Sequence, residues 1–213
     1  MKTNIIKNNQ KGFTLAELII VVAIIAIISV ISMFNSAKLN SSILLSNTAY
    51  EIGLIIRDAQ ISGLGVKVIS SSGNATTSNQ GIFFDISTPE KIIFFADLNK
   101  NDKYDVGIGE EWQVYNIENK RAGKILSICK IGPNNTICKP ISNGGDITNL
   151  QNLNVIFKRP NPESYFYYND GNNKEYSGSV VINIGFDPGD CRSILIYKTG
   201  AVQIDRSFCP AII

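Results

Sequence analysis

DLNKNDKYD, residues 97–105, sets the oxygen side chains of Asp97, Asn99 and Asn101 at alternate positions, with Asp105 four residues further on. An EF-hand loop begins to wrap calcium with that spacing, D-x-[DN]-x-[DN]. Glu110 lies beyond and would complete the set. Two departures put a second reading beside the first. Asp102 stands where the EF-hand has the glycine of its sharp turn, and Ile108 where it has the bidentate glutamate. A solvated hairpin turn, in which Asn and Asp favour tight backbone geometry, explains the same letters without a metal or flanking helices. Calcium at Asp97, Asn99, Asn101, Asp105 and Glu110 is one expectation, a plain turn the other. No other cofactor is implied.

The second group is a single carboxylate in an apolar run. Leu18 to Phe34 carries no charge and is interrupted only by Ser29 and Ser32. With Phe13 to Glu17 added, the run reaches the roughly 20 residues a helix needs to cross a bilayer. Glu17 sits inside it, at a cost of ~2.5–3.5 kcal/mol at mid-bilayer and less near an end. Lys2, Lys7 and Lys11 precede it with no acid among them. By the positive-inside rule they hold the leader in the cytoplasm and send the rest of the chain across.

Composition removes several function classes. The chain has 213 residues, 44% hydrophobic and 18% charged, which supports a packed core. Its net charge of +2 rests on the three leader lysines, since the remainder has 17 basic against 18 acidic side chains. There is no histidine, which excludes Ser-His-Asp and Cys-His catalysis and any His-ligated metal. No G-x-S-x-G, P-loop or paired-carboxylate signature stands in for them, so the chain reads as non-enzymatic. The cysteines, Cys129, Cys138, Cys191 and Cys209, are even in number and form no CxxC pair. In an oxidising compartment two disulfides are the economical arrangement. Of the three connectivities, we expect Cys129–Cys138 to close the loop KIGPNNTI and Cys191–Cys209 to clamp a terminal hairpin.

Three readings compete for the N-terminal segment. A cleavable secretory signal would need small residues after the run, and Val30 and Ser32 could pose as that pair, but the run is long for such a signal. A plain membrane anchor explains the length but leaves Glu17 without a purpose. The third is a resemblance. KGFTLAELIIVVAII is similar to the N-terminal signature of type IV pilins and pseudopilins. The resemblance implies a leader ending at Gly12, cleavage there by a membrane prepilin peptidase, N-methylation of Phe13 by the same enzyme, and Glu17 as the glutamate that marks the family. It also implies partners: other pilin or pseudopilin subunits, the prepilin peptidase/N-methyltransferase and an inner-membrane assembly platform. The location implied is the inner membrane as a single pass, N-terminus cytoplasmic and C-terminal domain extracytoplasmic, and then a pilus or pseudopilus. In an assembly, the Glu17 carboxylate would pair with the new amine of Phe13 on a neighbouring subunit.

The elements that must carry these groups follow from periodicity. No proline occurs between Phe13 and Thr88, and no glycine between Phe13 and Ile52. Leu45, Ala49, Ile52, Ile56 and Ala59 step by 4, 3, 4 and 3, one helical stripe with a single face to bury. One helix from about Phe13 to about Ser62, ended by Gly63 and Gly65, would be ~75 Å long. Ten strands follow: 66–70, 81–86, 91–96, 112–117, 125–129, 154–158, 164–168, 179–186, 193–197 and 201–204, rich in Ile, Val, Phe and Tyr. Ser70–Gln80 and Lys139–Gln151 read as loops. The fold class is α+β, a long N-terminal helix packed on an antiparallel β domain. The organisation expected is a leader at 1–12, a transmembrane and assembly half-helix at 13–34, an amphipathic half-helix at 35–64 and an extracytoplasmic β domain at 65–213.

The order of EIGLIIRDAQISG, FFADLNKNDKYD and CRSILIYKTGAVQIDR also resembles minor pseudopilins of the FimT/GspH kind. The insert around Lys120–Gln151, with its own cysteine pair, departs from the short form of that pattern. The function implied is a minor subunit built into or capping a type IV pilus or a type II secretion pseudopilus. The alternative is a competence-type pilin whose exposed domain binds DNA. Arg192, Lys198 and Arg206 would supply the basic surface, but Asp187, Asp190 and Asp205 lie beside them.

Overall fold

A computed structural model describes residues 12–65, 68–71, 74–117, 123–132, 136–140, 150–168, 175–187, 190–207 and 209; for 34–39, 68–71, 74–77, 139–140 and 187 only the backbone is described. The leader to Lys11 and most of the Lys139–Gln151 spacer lie outside these residues. The chain divides into two compact units, Met1–Asn40 and Ser41–Ile213.

One α-helix, α1, runs Leu15–Leu64. In the first unit its segment Leu15–Met33 is long and apolar enough to cross a membrane, and none of it is buried within the chain. Ser29, one of the two hydroxyls that interrupt this run, donates to the carbonyl of Ile25 at 2.8 Å. The donor that would be orphaned in hydrocarbon is thereby satisfied inside the helix.

The second unit contains the rest of α1 and thirteen strands among the described residues. They are β1 (Val68–Ser71), β2 (Asn74–Thr77), β3 (Asn79–Asp85), β4 (Lys91–Asp97), β5 (Glu111–Asn116), β6 (Lys124–Ile131), β7 (Thr136–Pro140), β8 (Asn152–Phe157), β9 (Ser164–Tyr168), β10 (Glu175–Tyr176), β11 (Ser179–Asp187), β12 (Asp190–Ile196) and β13 (Val202–Asp205). Three antiparallel sheets result: β1-β2, β10-β9-β8-β3-β4-β5 and β13-β12-β11-β6-β7. The architecture is α+β.

One core joins α1 to both large sheets. Leu45, Ala49, Ile52, Ile56 and Ala59 of the helix are fully buried against Ile82, Phe84, Val155 and Phe157 of the six-stranded sheet and Ile128, Ile182 and Ile194 of the five-stranded one. Alternation along β3 explains the selection: Ile82 and Phe84 face this core, while Phe83 turns to the other side of its sheet with Phe95 and Ile156. β11 differs, being buried from Val180 to Gly185 without alternation, as its unbroken VVIN-type run requires of a strand covered on both faces.

Three expectations need correction. Gly63 does not end the helix. It lies within the last turn, where a Cβ would come 2.8 Å from both Cβ and the carbonyl oxygen of Phe157; it is there for close approach to β8. Ser70–Gln80 is not a loop, because β2 pairs with β1 through Thr77↔Val68 to Asn74↔Ser71, and β3 already starts at Asn79. Finally, the water-side half of α1 does not have a single apolar face. Ile43, Tyr50, Leu54 and Ile61 are all large, apolar or aromatic, and more than half exposed.

Gly200 fixes the far end of the domain. Its φ is +83°, and a Cβ there would meet the carbonyl oxygen of Pro162 at 2.1 Å. Only glycine fits both demands. The turn it makes joins β12 to β13 and lies beside Gln60 of α1, whose amide donates to that same Pro162 oxygen at 2.7 Å.

Candidate processing and assembly site

Gly12, Phe13 and Thr14 are non-helical and exposed, immediately before α1. A Cβ on Gly12 would meet nothing within 4 Å. Among the described residues, packing does not demand glycine at this position.

Thr14 and Glu17 cap the helix reciprocally. The Glu17 backbone N–H donates to Thr14 Oγ1 at 3.3 Å, and the Thr14 N–H and hydroxyl donate to Glu17 Oε2 at 3.5 and 3.4 Å. The Leu18 N–H closes the first turn onto the Thr14 carbonyl at 3.2 Å. This is a capping box, T-x-x-E, with the carboxylate also favoured by the positive end of the helix dipole. The letters TLAE announce it, and they give Glu17 a role inside the single chain besides any between subunits.

The acidic turn lies over the outer face of the six-stranded sheet. Tyr104 packs its ring at a tilt against Phe83 and Phe95, with ring centroids 5.1 and 5.6 Å away, and its backbone N–H donates to Asn154 Oδ1 at 2.9 Å. Asp97 and Glu110 are almost wholly buried. Their four oxygens each accept a backbone N–H: Asn101 and Asp102 on Asp97, Leu98 and Asp105 on Glu110. Asp105 accepts the side-chain amides of Asn99 and Asn101. Asp102 takes the left-handed φ of +64° that an EF-hand gives to glycine, and its carboxylate pairs with Lys158 at 2.6 Å. Five oxygen side chains are thus gathered as the spacing suggested, but they close the turn on its own backbone N–H groups and asparagine amides. Among the described residues no group of three His, Cys, Asp or Glu is placed to hold a metal ion.

Burial pushes the carboxyls of Asp97 and Glu110 above their usual range; each backbone N–H they accept pulls the other way, and a neighbouring like charge, Asp102 for Asp97 and Asp97 for Glu110, adds to the rise. Between the usual and raised values such a group is protonated in the folded chain and ionised in the unfolded one. Its contribution therefore weakens as pH rises through that window and is greatest below it. Asp97→Asn removes this titration and also puts an amide where one of two backbone donors needs an acceptor. We expect a loss on the order of 1–3 kcal/mol at neutral pH and a smaller gain on acidification than the native chain shows, both read by thermal melting from pH 7 to pH 4.

The basic residues of the closing hairpin are engaged within the chain. Arg192, 6% exposed, donates to Ser46 Oγ at 2.9 Å, to Ser42 Oγ and carbonyl at 2.8 and 3.2 Å, and to the Cys191 carbonyl at 2.9 Å. Arg206 donates to Ser42 Oγ at 2.9 Å, and Lys198 pairs with Glu175. Disulfides join Cys129 to Cys138 and Cys191 to Cys209. The first links residues directly opposite each other in β6 and β7, so the segment read as a loop is a hairpin. The second ties the chain after β13 to the start of β12.

Residues 7–33 match the family model of the prokaryotic N-terminal methylation motif. The chain carries a class III prepilin signal. That signal implies processing by prepilin peptidase and assembly with other pilins, it fits inner-membrane anchoring, and it supports a type IV pilin-like protein. The match ends at Met33, within the uncharged run, and leaves the β domain outside it. No curated protein and no solved structure shows significant similarity to the chain.

Proposed function

We propose that this chain is a minor pilin or pseudopilin subunit, cut after Gly12, methylated at Phe13, and assembled into or capping a type IV pilus or a type II secretion pseudopilus. The observation that carries the reading is the junction itself: an exposed, non-helical Gly12–Phe13 bond, two residues before the unburied apolar segment Leu15–Met33, whose one charged side chain is Glu17. A peptidase needs its scissile bond outside a helix, and a glycine without a local packing reason suits an external recognition pocket.

The work of the chain is mechanical rather than chemical. The uncharged helix holds the precursor in the inner membrane, leader inside and β domain outside, until the subunit is lifted into the assembly. Cleavage creates an ammonium at Phe13. In a low-dielectric bundle the Glu17 carboxylate of a neighbour meets that charge and sets axial register, because an unpartnered ion there costs ~3–5 kcal/mol. A place among minor subunits of the FimT/GspH kind rests on the order of elements, helix to six-stranded sheet to closing hairpin. The DNA-binding alternative loses support from Arg192, Lys198 and Arg206, each of which already has a partner in its own chain.

Cells with and without their prepilin peptidase test this reading. We expect the chain in the sheared or crosslinked filament fraction only when the peptidase is present, and uncut in the membrane otherwise. Filament-fraction chain in peptidase-free cells would overturn it.

A further inference from the structure

The two large sheets end in the strands β10, β5, β13 and β7. An edge strand offers unpaired backbone groups to any extended chain, and proteins blunt such edges with shortness, bulges, lysine or proline. β10 is two residues long, β5 meets β4 with a register shift between Phe94 and Phe95, and β7 ends in Lys139 and Pro140 and is tied to β6 by a disulfide. β13 has none of these devices. It pairs with β12 in unbroken register and carries a charge only at its last residue, Asp205. The Tyr197 N–H donates to the Ala201 carbonyl at 2.9 Å. Bonded pairs therefore recur at Leu195↔Gln203 and Ser193↔Asp205, and the N–H and C=O of Val202 and Ile204 point away from the sheet. Along this edge lies an open groove of about 530 Å³, lined by Val202 and Ile204 on one side and by Tyr50, Gly53, Leu54 and Arg57 of α1 on the other.

We infer that β13 takes the C-terminal residues of a partner protein as an added antiparallel strand, with alternate apolar side chains in the groove and the terminal carboxylate on Arg57. Main-chain bonds to an edge hold such a peptide, and the groove selects its side chains. Charge sets the direction. The helix and the strand run opposite ways, since Arg206 donates to Ser42 at one end and Gln60 lies beside Gly200 at the other. Arg57 thus stands towards Ala201. A strand antiparallel to β13 runs with α1 and ends at Arg57, where its carboxylate meets a cation; a parallel strand would bring an ammonium there. The guanidinium is exposed and gives one hydrogen bond, to Gln60 Oε1 at 2.8 Å, among the described residues. Asp58 and Asp205, the nearest acids in sequence, do not line the groove. Length sets the footprint. Tyr50 to Arg57 is about 10 Å of helix axis and Ala201 to Ile204 about 10 Å of strand, room for about four extended residues. The surface lies wholly in the second unit, so the inference goes beyond the assembly reading and does not rest on it.

The test adds the peptide acetyl-Thr-Val-Thr-Val to the full chain in detergent micelles, once with a free carboxylate and once as the C-terminal amide. The two partition alike into micelles except for that charge, and NMR titration reads binding to the chain. We expect the acid to bind saturably and the amide about threefold to fivefold more weakly. Arg57→Gln should bring the acid to the level of the amide without moving the melting temperature, because the side chain is exposed. At saturation, hydrogen exchange of the Val202 and Ile204 amides should slow about tenfold or more as they enter a ladder, while the exposed Val106 amide on the acidic turn keeps its rate. No saturable binding of the acid up to millimolar peptide would overturn the inference. So would equal affinities of acid and amide, an Arg57→Gln chain that still prefers the acid, or unchanged exchange at Val202 and Ile204. The N-terminal residue of the same sample reports on processing independently. A chain beginning at Phe13 that takes no peptide would sink the docking surface and leave the proposed function standing, and an uncut chain that protects Val202 and Ile204 would do the reverse.

Discussion

Glu17→Gln is expected to fold, insert and be cut like the native chain, and then to be missing from the filament. The substitution separates two roles that Glu17→Ala confounds. In the capping box the Glu17 side chain accepts from Thr14, and glutamine serves that position as well as glutamate. Loss of the whole cap costs ~0.5–2 kcal/mol, whereas an amine left unpartnered in a low-dielectric bundle costs ~3–5 kcal/mol. Glutamine keeps the first and forfeits the second. Insertion should not suffer, because a neutral side chain enters lipid more easily than a carboxylate. Cleavage should survive, because the scissile bond lies five residues upstream. The comparison is membrane level, N-terminus and abundance in sheared filaments, with the native copy absent. Normal incorporation of Glu17→Gln together with failure of Glu17→Ala would assign the residue to helix capping and end the charge-pairing account.

Arg192→Met should lower the stability of the second unit on the order of 3 kcal/mol, since hydrogen bonds to charged groups are worth roughly 1.5–3 each and the methionine cannot remake those to Ser42 and Ser46. For a unit of this size that is a fall in Tm of roughly 6–12 °C. The guanidinium joins the first turn of α1 in this unit to the closing hairpin, 150 residues apart in sequence at Ser42. Arg192→Lys keeps the charge but only one donor centre, so it should recover a minority of the loss. Thermal melting of the full chain in detergent reads both. A shift below 2 °C for Arg192→Met would show that Ser42 and Ser46 exchange the guanidinium for water without penalty.

Local signals were legible and long-range ones were not. All ten strands expected from Ile, Val, Phe and Tyr runs exist, with ends displaced by at most three residues. The three that were missed are Asn74–Thr77, Thr136–Pro140 and Glu175–Tyr176. They are polar, proline-bearing or two residues long, and each exists because its neighbour presents an open edge. The stripe at Leu45–Ala59 was readable as a core face, but a helix apolar on two sides does not say which one the sheets will cover. Gly63 looked like a stop because the close approach of Phe157 belongs to a strand more than ninety residues away. Arg192 looked like a candidate for phosphate contact because nothing local ties it to two serines of the helix. At the N-terminus the opposite holds. Gly12, Phe13 and Glu17 stand in one short segment, and there the chemistry could be read before the fold. What was overlooked was equally local: Thr14 at the cap, three residues from Glu17.

The central claim is that the chain is cut between Gly12 and Phe13, and the intact mass of the protein extracted from its own membranes tests it most directly. The account predicts a single species lacking residues 1–12, one methyl group heavier than the bare remainder, with both disulfides intact. A species that keeps its leader, or one that begins near Met33 after loss of the whole apolar helix, would contradict it.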